Sequence, residues 1–415
     1  MHSSLLRHAE IAYERSRDKD SLEQLQQKKL EQTLENARKT PYYGKLMDEL
    51  SISSLDDFPL TEKDAVRRDP YAFTVKGAKR EAMMRVETSG STGVPTTIFI
   101  DPGTVDYRGS LMAFMRHEMG LLPFDLLAKI DTHTQHQEPY VLSTSGLYRE
   151  LRLHSATAEA ENLRTIKEKR ANVLLAYPSI TEMLAKLNQE SDKPYRFKFI
   201  KCAGEMLEPA AKKCIAESFS CPVYDNYNCW EAGPLAWDCP EEKSLHVHSP
   251  SCIIEIVDKK GKPKKSGTGE IVLTPLRNNV MSLIRYRVGD LGEWGKECSC
   301  GRQLPVLKVI KGRSEDHIVL PSGRIRPAFT MNVGKLEGVL HGTWQHQLVQ
   351  EERDRIVFRY VPYKLGLDYN AKKEVLKRIE SACLGEKVKV EFEEVEAIKR
   401  HPGGKLQRII SKVRR

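Results

Sequence analysis

Apolar side chains in the first fifty residues recur at helical spacing. Leu22, Leu25, Leu30, Leu34 and Ala37 fall on one face, and Pro41 closes the pattern. From about residue 160 helix-like and strand-like stretches alternate. Val173–Ala176 is an unbroken apolar run of strand length, followed by Tyr177-Pro178-Ser179 and a helix carrying Ile180, Met183, Leu184 and Leu187. Phe197–Ile200 predicts the next strand, leading into Cys202-Ala203-Gly204-Glu205, a further helix and a strand near Val223. This order implies an α/β domain with largely parallel pairing. Ligands in such sheets sit beyond the carboxyl ends of the strands, where Cys202–Glu205 and Tyr224–Glu231 are expected.

Between residues 252 and 295 the pattern turns β-rich, with short apolar strands interrupted by the Gly- and Lys-containing stretch Asp258–Thr268. In the last hundred residues Ile356, Phe358 and Tyr360 alternate along a strand. Val375, Leu376 and Ile379 share a helix face, and Val388, Val390 and Phe392 alternate again. The expected fold is a large α/β N-terminal domain, with mixed and parallel sheets, helices and a β-rich part, followed by a small α+β C-terminal domain. The boundary falls near Gly312-Arg313, so the domains are 1–312 and 313–415.

Composition adds limits. At 415 residues the chain exceeds what one core supports. No apolar run approaches the roughly 18 residues of a membrane span, and Met1–Lys19 lacks the apolar centre of a signal peptide. Nine scattered cysteines suit a reducing compartment, so the expected location is cytoplasmic. The net charge of +9 could serve a nucleic acid. Basic and acidic residues are interspersed, however, outside short runs such as Lys259–Lys265, which suits small polyanions such as nucleotides or CoA better.

The densest local signal is Thr88-Ser89-Gly90-Ser91-Thr92-Gly93-Val94-Pro95, between strand-like Met83–Val86 and Thr96–Ile100. Small residues let backbone N–H groups approach phosphate oxygens, and the hydroxyls add donors; the same residue types also make plain hairpin loops. No Lys-Ser or Lys-Thr follows the second glycine, which excludes a Walker-type loop. The stretch resembles the signature loop of the adenylate-forming family, which includes acyl-CoA synthetases, luciferases and peptide-synthetase adenylation domains. Four later segments follow in that family's order. Thr40-Pro41-Tyr42-Tyr43 and the short chain resemble its phenylacetate–CoA ligase and CapK-like branch.

The resemblance implies a role for each segment. Thr88, Ser89, Gly90, Ser91, Thr92 and Gly93 would hold ATP phosphates, with Thr92 taking part in catalysis. In Tyr224-Asp225-Asn226-Tyr227-Asn228-Cys229-Trp230-Glu231, Glu231 would help hold Mg²⁺, a cation that favours carboxylate oxygen, and Tyr227 would stack near adenine. Trp230 replaces the family's usual Ser or Thr. Without the resemblance, Glu231 reads as a solvated carboxylate at a helix start. Ala203-Gly204-Glu205 resembles the strip along the adenine edge. In Arg285-Tyr286-Arg287-Val288-Gly289-Asp290, Asp290 would accept from both ribose hydroxyls. In Gly312-Arg313-Ser314-Glu315-Asp316, Arg313 would reach ribose or phosphate, with Glu315 in place of the usual hinge Asp. In Pro402-Gly403-Gly404-Lys405, glycines would let Lys405 swing in to stabilise charge on the α-phosphate and carboxylate. The C-terminal domain would then rotate about Arg313–Asp316 to admit a thiol.

Cys239, His246, Cys298 and Cys300 form a thiolate–imidazole set suited to tetrahedral zinc. His248 shares a strand face with His246 and is an alternative ligand. Four protein ligands imply a structural site. The expected activity is therefore ATP- and Mg²⁺-dependent activation of a small carboxylic acid, aryl or arylacetic, with transfer to CoA. A CapK-like transfer to an amine, sugar or carrier protein is one alternative. A zinc-stabilised nucleic-acid-binding protein is another, which leaves five ordered motifs unexplained. The acyl pocket is expected along Ile130 to Leu147 and near Cys202 and Trp230, with His133, His136, Tyr140 and Tyr148 as lining candidates. No membrane partner is expected, and a homodimer is left open.

Overall fold

Asp18 caps the helix Lys19–Arg38, its carboxylate accepting from the Ser21 N–H at 2.8 Å, and Leu22, Leu30 and Ala37 are buried on one face. Pro41 ends that pattern by opening a second helix, Pro41–Leu50. Proline is tolerated there because the first helical N–H has no intrahelical partner, and the Thr40 hydroxyl accepts from the Tyr43 N–H. The computed structural model describes residues 11, 18–79, 81, 83–88, 96–131, 147–241, 245–313, 317–331, 333, 334, 336–400 and 404–413. The chain forms two compact units, Met1–Leu121 with Tyr224–Lys311, and Leu122–Val223 with Gly312–Arg415.

In the first unit, the antiparallel pair Met84–Thr88 and Thr96–Ile100 ends at the facing residues Thr88 and Thr96. A run of sheet has the strand order Cys252–Val257, Gly269–Pro275, Tyr286–Trp294, Val306–Arg313, Leu245–Val247, Gly233–Asp238, Val223–Cys229. Tyr43, Phe58, Phe73, Ile98, Met281 and Leu283 form one core. The Tyr43 hydroxyl accepts from the Ile284 N–H at 2.8 Å, which ties the second helix to that core.

In the second unit, Leu126–Asp131 pairs in parallel with Arg149–His154 and Val173–Ala176, and Val173–Ala176 with Phe199–Ala203. All four residues of Val173–Ala176 are buried, which explains the unbroken apolar run: a parallel strand covered on both faces has no polar side. The strand expected at Phe197–Ile200 instead runs Phe199–Ala203. Phe197 is apolar because it packs edge-on against Tyr195, 5.2 Å between centroids. Gly204 and Glu205 follow the carboxyl end of that strand. Tyr224–Cys229 differs from expectation, because it lies inside the strand Val223–Cys229 and only Trp230 and Glu231 lie past its end.

The C-terminal sheet has the order Lys389–Glu394, Arg355–Pro362, Thr343–Glu352, Ile409–Ser411. Arg355–Pro362 and Lys389–Glu394 are parallel, which requires a long crossover. The helix Tyr369–Ala382 supplies it, and Ala371, Val375 and Ile379 pack with Ile356, Phe358 and Tyr360. The architecture is α/β with a β-rich part and a small α+β piece, as the patterning predicts.

Candidate functional site

Tyr227 and Asp290 of the expected nucleotide set belong to the first unit. Tyr227 lies on Val223–Cys229 and Asp290 on Tyr286–Trp294. The Tyr227 hydroxyl donates to Asp290 Oδ2 at 2.7 Å. Burial, then the Asp290 charge, pushes the Tyr227 hydroxyl well above its ordinary pKa, so it stays protonated and keeps donating. The two arginines of the preceding Arg-Tyr-Arg make structural contacts. Arg285 is buried and bonds Glu255 at 3.0 Å and the Phe58 carbonyl at 2.8 Å, while Arg287 pairs with Glu270 and Glu62.

Glu231 sits in the turn between Val223–Cys229 and Gly233–Asp238, with no helix start there. It is 6% exposed, whereas Trp230 is 46% exposed. A residue missed by the patterning holds this turn: Arg108 donates to the carbonyls of Trp230 and Glu231 at 2.8 and 2.9 Å. Gly233, at φ +80°, completes the arrangement, because a Cβ there would lie 2.7 Å from Arg108 Cδ. Burial lowers the Arg108 pKa, and the nearby Glu231 and Asp101 charges oppose this. Burial, then Glu231, pushes the Cys229 thiol well up. The turn thus presents a largely desolvated carboxylate, a hard oxygen donor suited to a divalent cation.

Cys239, His246, Cys298 and Cys300 converge, with their ligand atoms all within 4.8 Å of one another. His246 Nε2 lies 3.3 Å from Cys300 Sγ. His248 is committed elsewhere, its Nε2 bonding the Tyr107 hydroxyl at 2.7 Å, so His246 is the histidine of this cluster. Three sulfurs and one imidazole at this spacing fit a closed tetrahedral zinc site. Arg302 donates to Cys239 Sγ at 3.5 Å and pairs with Glu118 at 3.3 Å. Glu118 also accepts from Trp237 Nε1 at 3.2 Å. Glu118 is distant in sequence from the cluster and carried no local signal.

In the second unit, Ala203 ends its strand and Gly204 adopts φ +87°. A Cβ on Gly204 would lie 2.9 Å from the Tyr177 ring and 3.4 Å from Lys405 Cε. Lys405 is therefore carried to the Gly204-Glu205 corner. The Leu406 N–H donates to Glu205 Oε1 at 2.6 Å. Two residues on, Arg408 donates to Glu182 Oε1 at 2.6 Å and lies 3.0 Å from His346 Nε2. Burial, with Arg408 and Lys186 nearby, holds His346 well below the usual imidazole range.

Thr88 ends its strand and Arg313 ends Val306–Arg313. Ser89, Gly90, Ser91, Thr92 and Gly93 lie outside the described residues, as do Ser314–Asp316 and His133, His136 and Tyr140 of the expected acyl region. Tyr148 is described, its N–H donating to the Pro123 carbonyl.

No protein-family model matches the sequence. A phenylacetate–coenzyme A ligase of Thermus thermophilus is 26% identical over 342 residues, 74% of each chain. The CapK protein of Staphylococcus aureus is 20% identical over 422 residues, 96% of this chain and 91% of its own. Among solved structures, a 2-hydroxyisobutyryl-CoA ligase in its postadenylation state, bound to R3-HIB-AMP, superposes with a TM-score of 0.75. It is 22% identical over 95% of this chain and 90% of that one.

Proposed function

We propose that this chain, a phenylacetate–CoA ligase-like member of the adenylate-forming superfamily, is an AMP-forming acid–CoA ligase acting on an aryl or arylacetic acid. The observation that carries the reading is Lys405 lying against the Gly204-Glu205 corner, about two hundred positions earlier in the chain. A lysine brought to the carboxyl end of a parallel strand is the group that adenylation requires, because negative charge gathers on the α-phosphate as the carboxylate attacks.

In the first step a carboxylate oxygen attacks the α-phosphorus of ATP in line. The bond to pyrophosphate breaks, leaving an acyl-adenylate. In the second, the CoA thiolate attacks the acyl carbon and AMP leaves. Asp290 accepts from the ribose hydroxyls and Tyr227 orients it, while Arg313 and the Thr88–Gly93 segment hold ribose and phosphates. Glu231 would hold Mg²⁺, which supplies charge neutralisation on the phosphates when bound. Cys239, His246, Cys298 and Cys300 would hold a zinc ion that braces the strands around it. Residues 313–415 act as the lid that carries Lys405. No helix among the described residues is long and apolar enough to cross a membrane. The nine cysteines are free thiols, the state that a reducing compartment maintains.

The test is pyrophosphate release with ATP and Mg²⁺ across aryl, arylacetic, fatty and amino acids, with and without CoA. Release that needs one acid class, with turnover that needs CoA, is expected. Turnover indifferent to CoA would move the acceptor to an amine, sugar or carrier protein. Lys405→Ala is expected to abolish adenylate formation while leaving ATP affinity within about twofold, since the lysine acts on charge that develops in the transition state; unchanged pyrophosphate release would remove it from the mechanism.

A further inference from the structure

Glu205 stands in the strip where the resemblance puts the adenine edge, yet both of its carboxylate oxygens are taken up by protein. Oε2 accepts the Ser179 N–H at 3.0 Å, and Oε1 accepts the Leu406 N–H at 2.6 Å and the Ser179 hydroxyl at 3.1 Å. The side chain is 8% exposed, so these bonds are made with little competition from water. The Ser179 N–H belongs to the first turn of Pro178–Gln189, where backbone donors have no intrahelical partner. Glu205 therefore caps that helix from outside it while gripping the residue next to Lys405.

Arg400 closes the arrangement. Its Nη1 donates to Ser179 Oγ at 2.7 Å and to the Gly404 carbonyl at 3.3 Å, and lies 3.9 Å from Glu205 Oε1. The residues on both sides of Lys405 are thus held by backbone groups, Gly404 through its carbonyl and Leu406 through its N–H. The Lys405 stem passes close to Gly204: a Cβ there would meet Lys405 Cε at 3.4 Å, in van der Waals contact, and would crowd the Tyr177 ring at 2.9 Å. A lysine stem is flexible and loses rotamer freedom when it is held at one spot. Fixing its backbone from both sides removes much of the search.

We propose that Glu205 is a positioning residue for the first half-reaction: it seats residues 404–406 so that Lys405 is held at the reacting phosphate, and it serves neither nucleotide affinity nor the thiol step. The proposal rests on the reading above that Lys405 serves adenylation.

Two measurements on Glu205→Gln test it. Backbone hydrogen exchange in a peptide spanning 404–409, read against Val173–Ala176 as the core reference, reports the seat without any need for turnover. Exchange at 404–409 is expected to rise roughly 10-fold or more, as loss of a charge-assisted bond implies, while the reference stays protected. Unchanged exchange at 404–409 overturns the seat, whatever reaction the chain performs. The second measurement separates the half-reactions. Single-turnover acyl-adenylate formation is expected to fall roughly 10- to 100-fold. Transfer from synthetic acyl-adenylate to CoA, and ATP affinity, should stay within about twofold. An equal fall in both half-reactions, or weakened ATP binding, would overturn the positioning role. A parent protein that forms no adenylate from any acid would count against the ligase reading and leave the exchange result standing. Arg400→Gln, which loosens Gly404 and Ser179 and leaves the carboxylate in place, should give the same split and stands in if the Glu205 variant fails to fold.

Discussion

Lys186 shows what burial does to a single charge. It is 4% exposed, donates to the Thr343 carbonyl and lies 5.3 Å from the centre of the Tyr363 ring. Burial lowers its pKa from 10.5 to about 8, although Glu182 nearby favours the charge. Below pH 8 the ammonium is protonated in folded and unfolded chains alike, and the full cost of burying it is present. Between 8 and 10.5 the unfolded chain holds more protons, so stability rises with pH across that window. Lys186→Met removes the titration, so its stability relative to the parent should be ~2–3 kcal/mol more favourable at pH 7 than at pH 10. Urea unfolding at both pH values measures this, and a difference that ignores pH would show that the ammonium is solvated. Legibility at this scale follows sequence distance. Glu231, Asp290 and Lys405 stand in short motifs, so the sequence alone singles them out as candidates. Arg108 reaches its carbonyl partner across 122 positions, inside a helix whose pattern gives it no distinction. Only packing reveals it.

At the scale of elements, the cysteine cluster is built around a short strand, which pairs on one side with Gly233–Asp238 through Ala236, Trp237 and Asp238. Leu245–Val247 is three residues long and is joined to Val306–Arg313 through two facing pairs, Val306 with His246 and Leu307 with Leu245. So short a strand is weak alone, and a metal on His246, Cys239 and the 298–300 turn would tie together the segments that flank it. One zinc per chain is expected by elemental analysis. Cys298→Ser should lower that content and reduce the melting temperature by about 4–8 °C, the shift that roughly 2 kcal/mol makes in a unit of this size. Full stability with no bound metal would return the four residues to ordinary packing. The cluster's membership was legible from ligand chemistry, but the choice between His246 and His248 was not. Alternation along the sequence puts both on one face, but the strand ends at Val247, and the Tyr107 hydroxyl from another element decides it by engaging His248.

For the whole molecule, the order of apolar patterns conveyed the α/β segment, the β-rich stretch and the C-terminal α+β piece, because each period follows from what its own element buries. How those pieces group was less legible. The C-terminal piece shares a compact unit with Leu122–Val223, held by pairs such as Arg408 with Glu182, 226 positions apart. Charge is a property of the same scale. The surplus is +9, but many basic side chains are already paired, among them Lys412 and Arg359 with Glu351, Arg355 with Glu391 and Lys198 with Asp125. With basic and acidic residues interspersed along the sequence, the +9 surplus makes a diffuse positive field. Such a field draws polyanions and is screened over roughly 10 Å at 0.1 M salt. If the ligase reading holds, raising salt from about 20 to about 200 mM should increase KM for CoA several-fold and leave KM for the monoanionic acid within about twofold. The contrast follows from charge alone, since the acid carries one negative charge and CoA several. Steady-state kinetics at fixed ATP would test it. Equal responses of the two substrates would place CoA recognition in neutral contacts. Tight DNA or RNA binding with a steep salt slope would instead assign the surplus to a nucleic-acid partner.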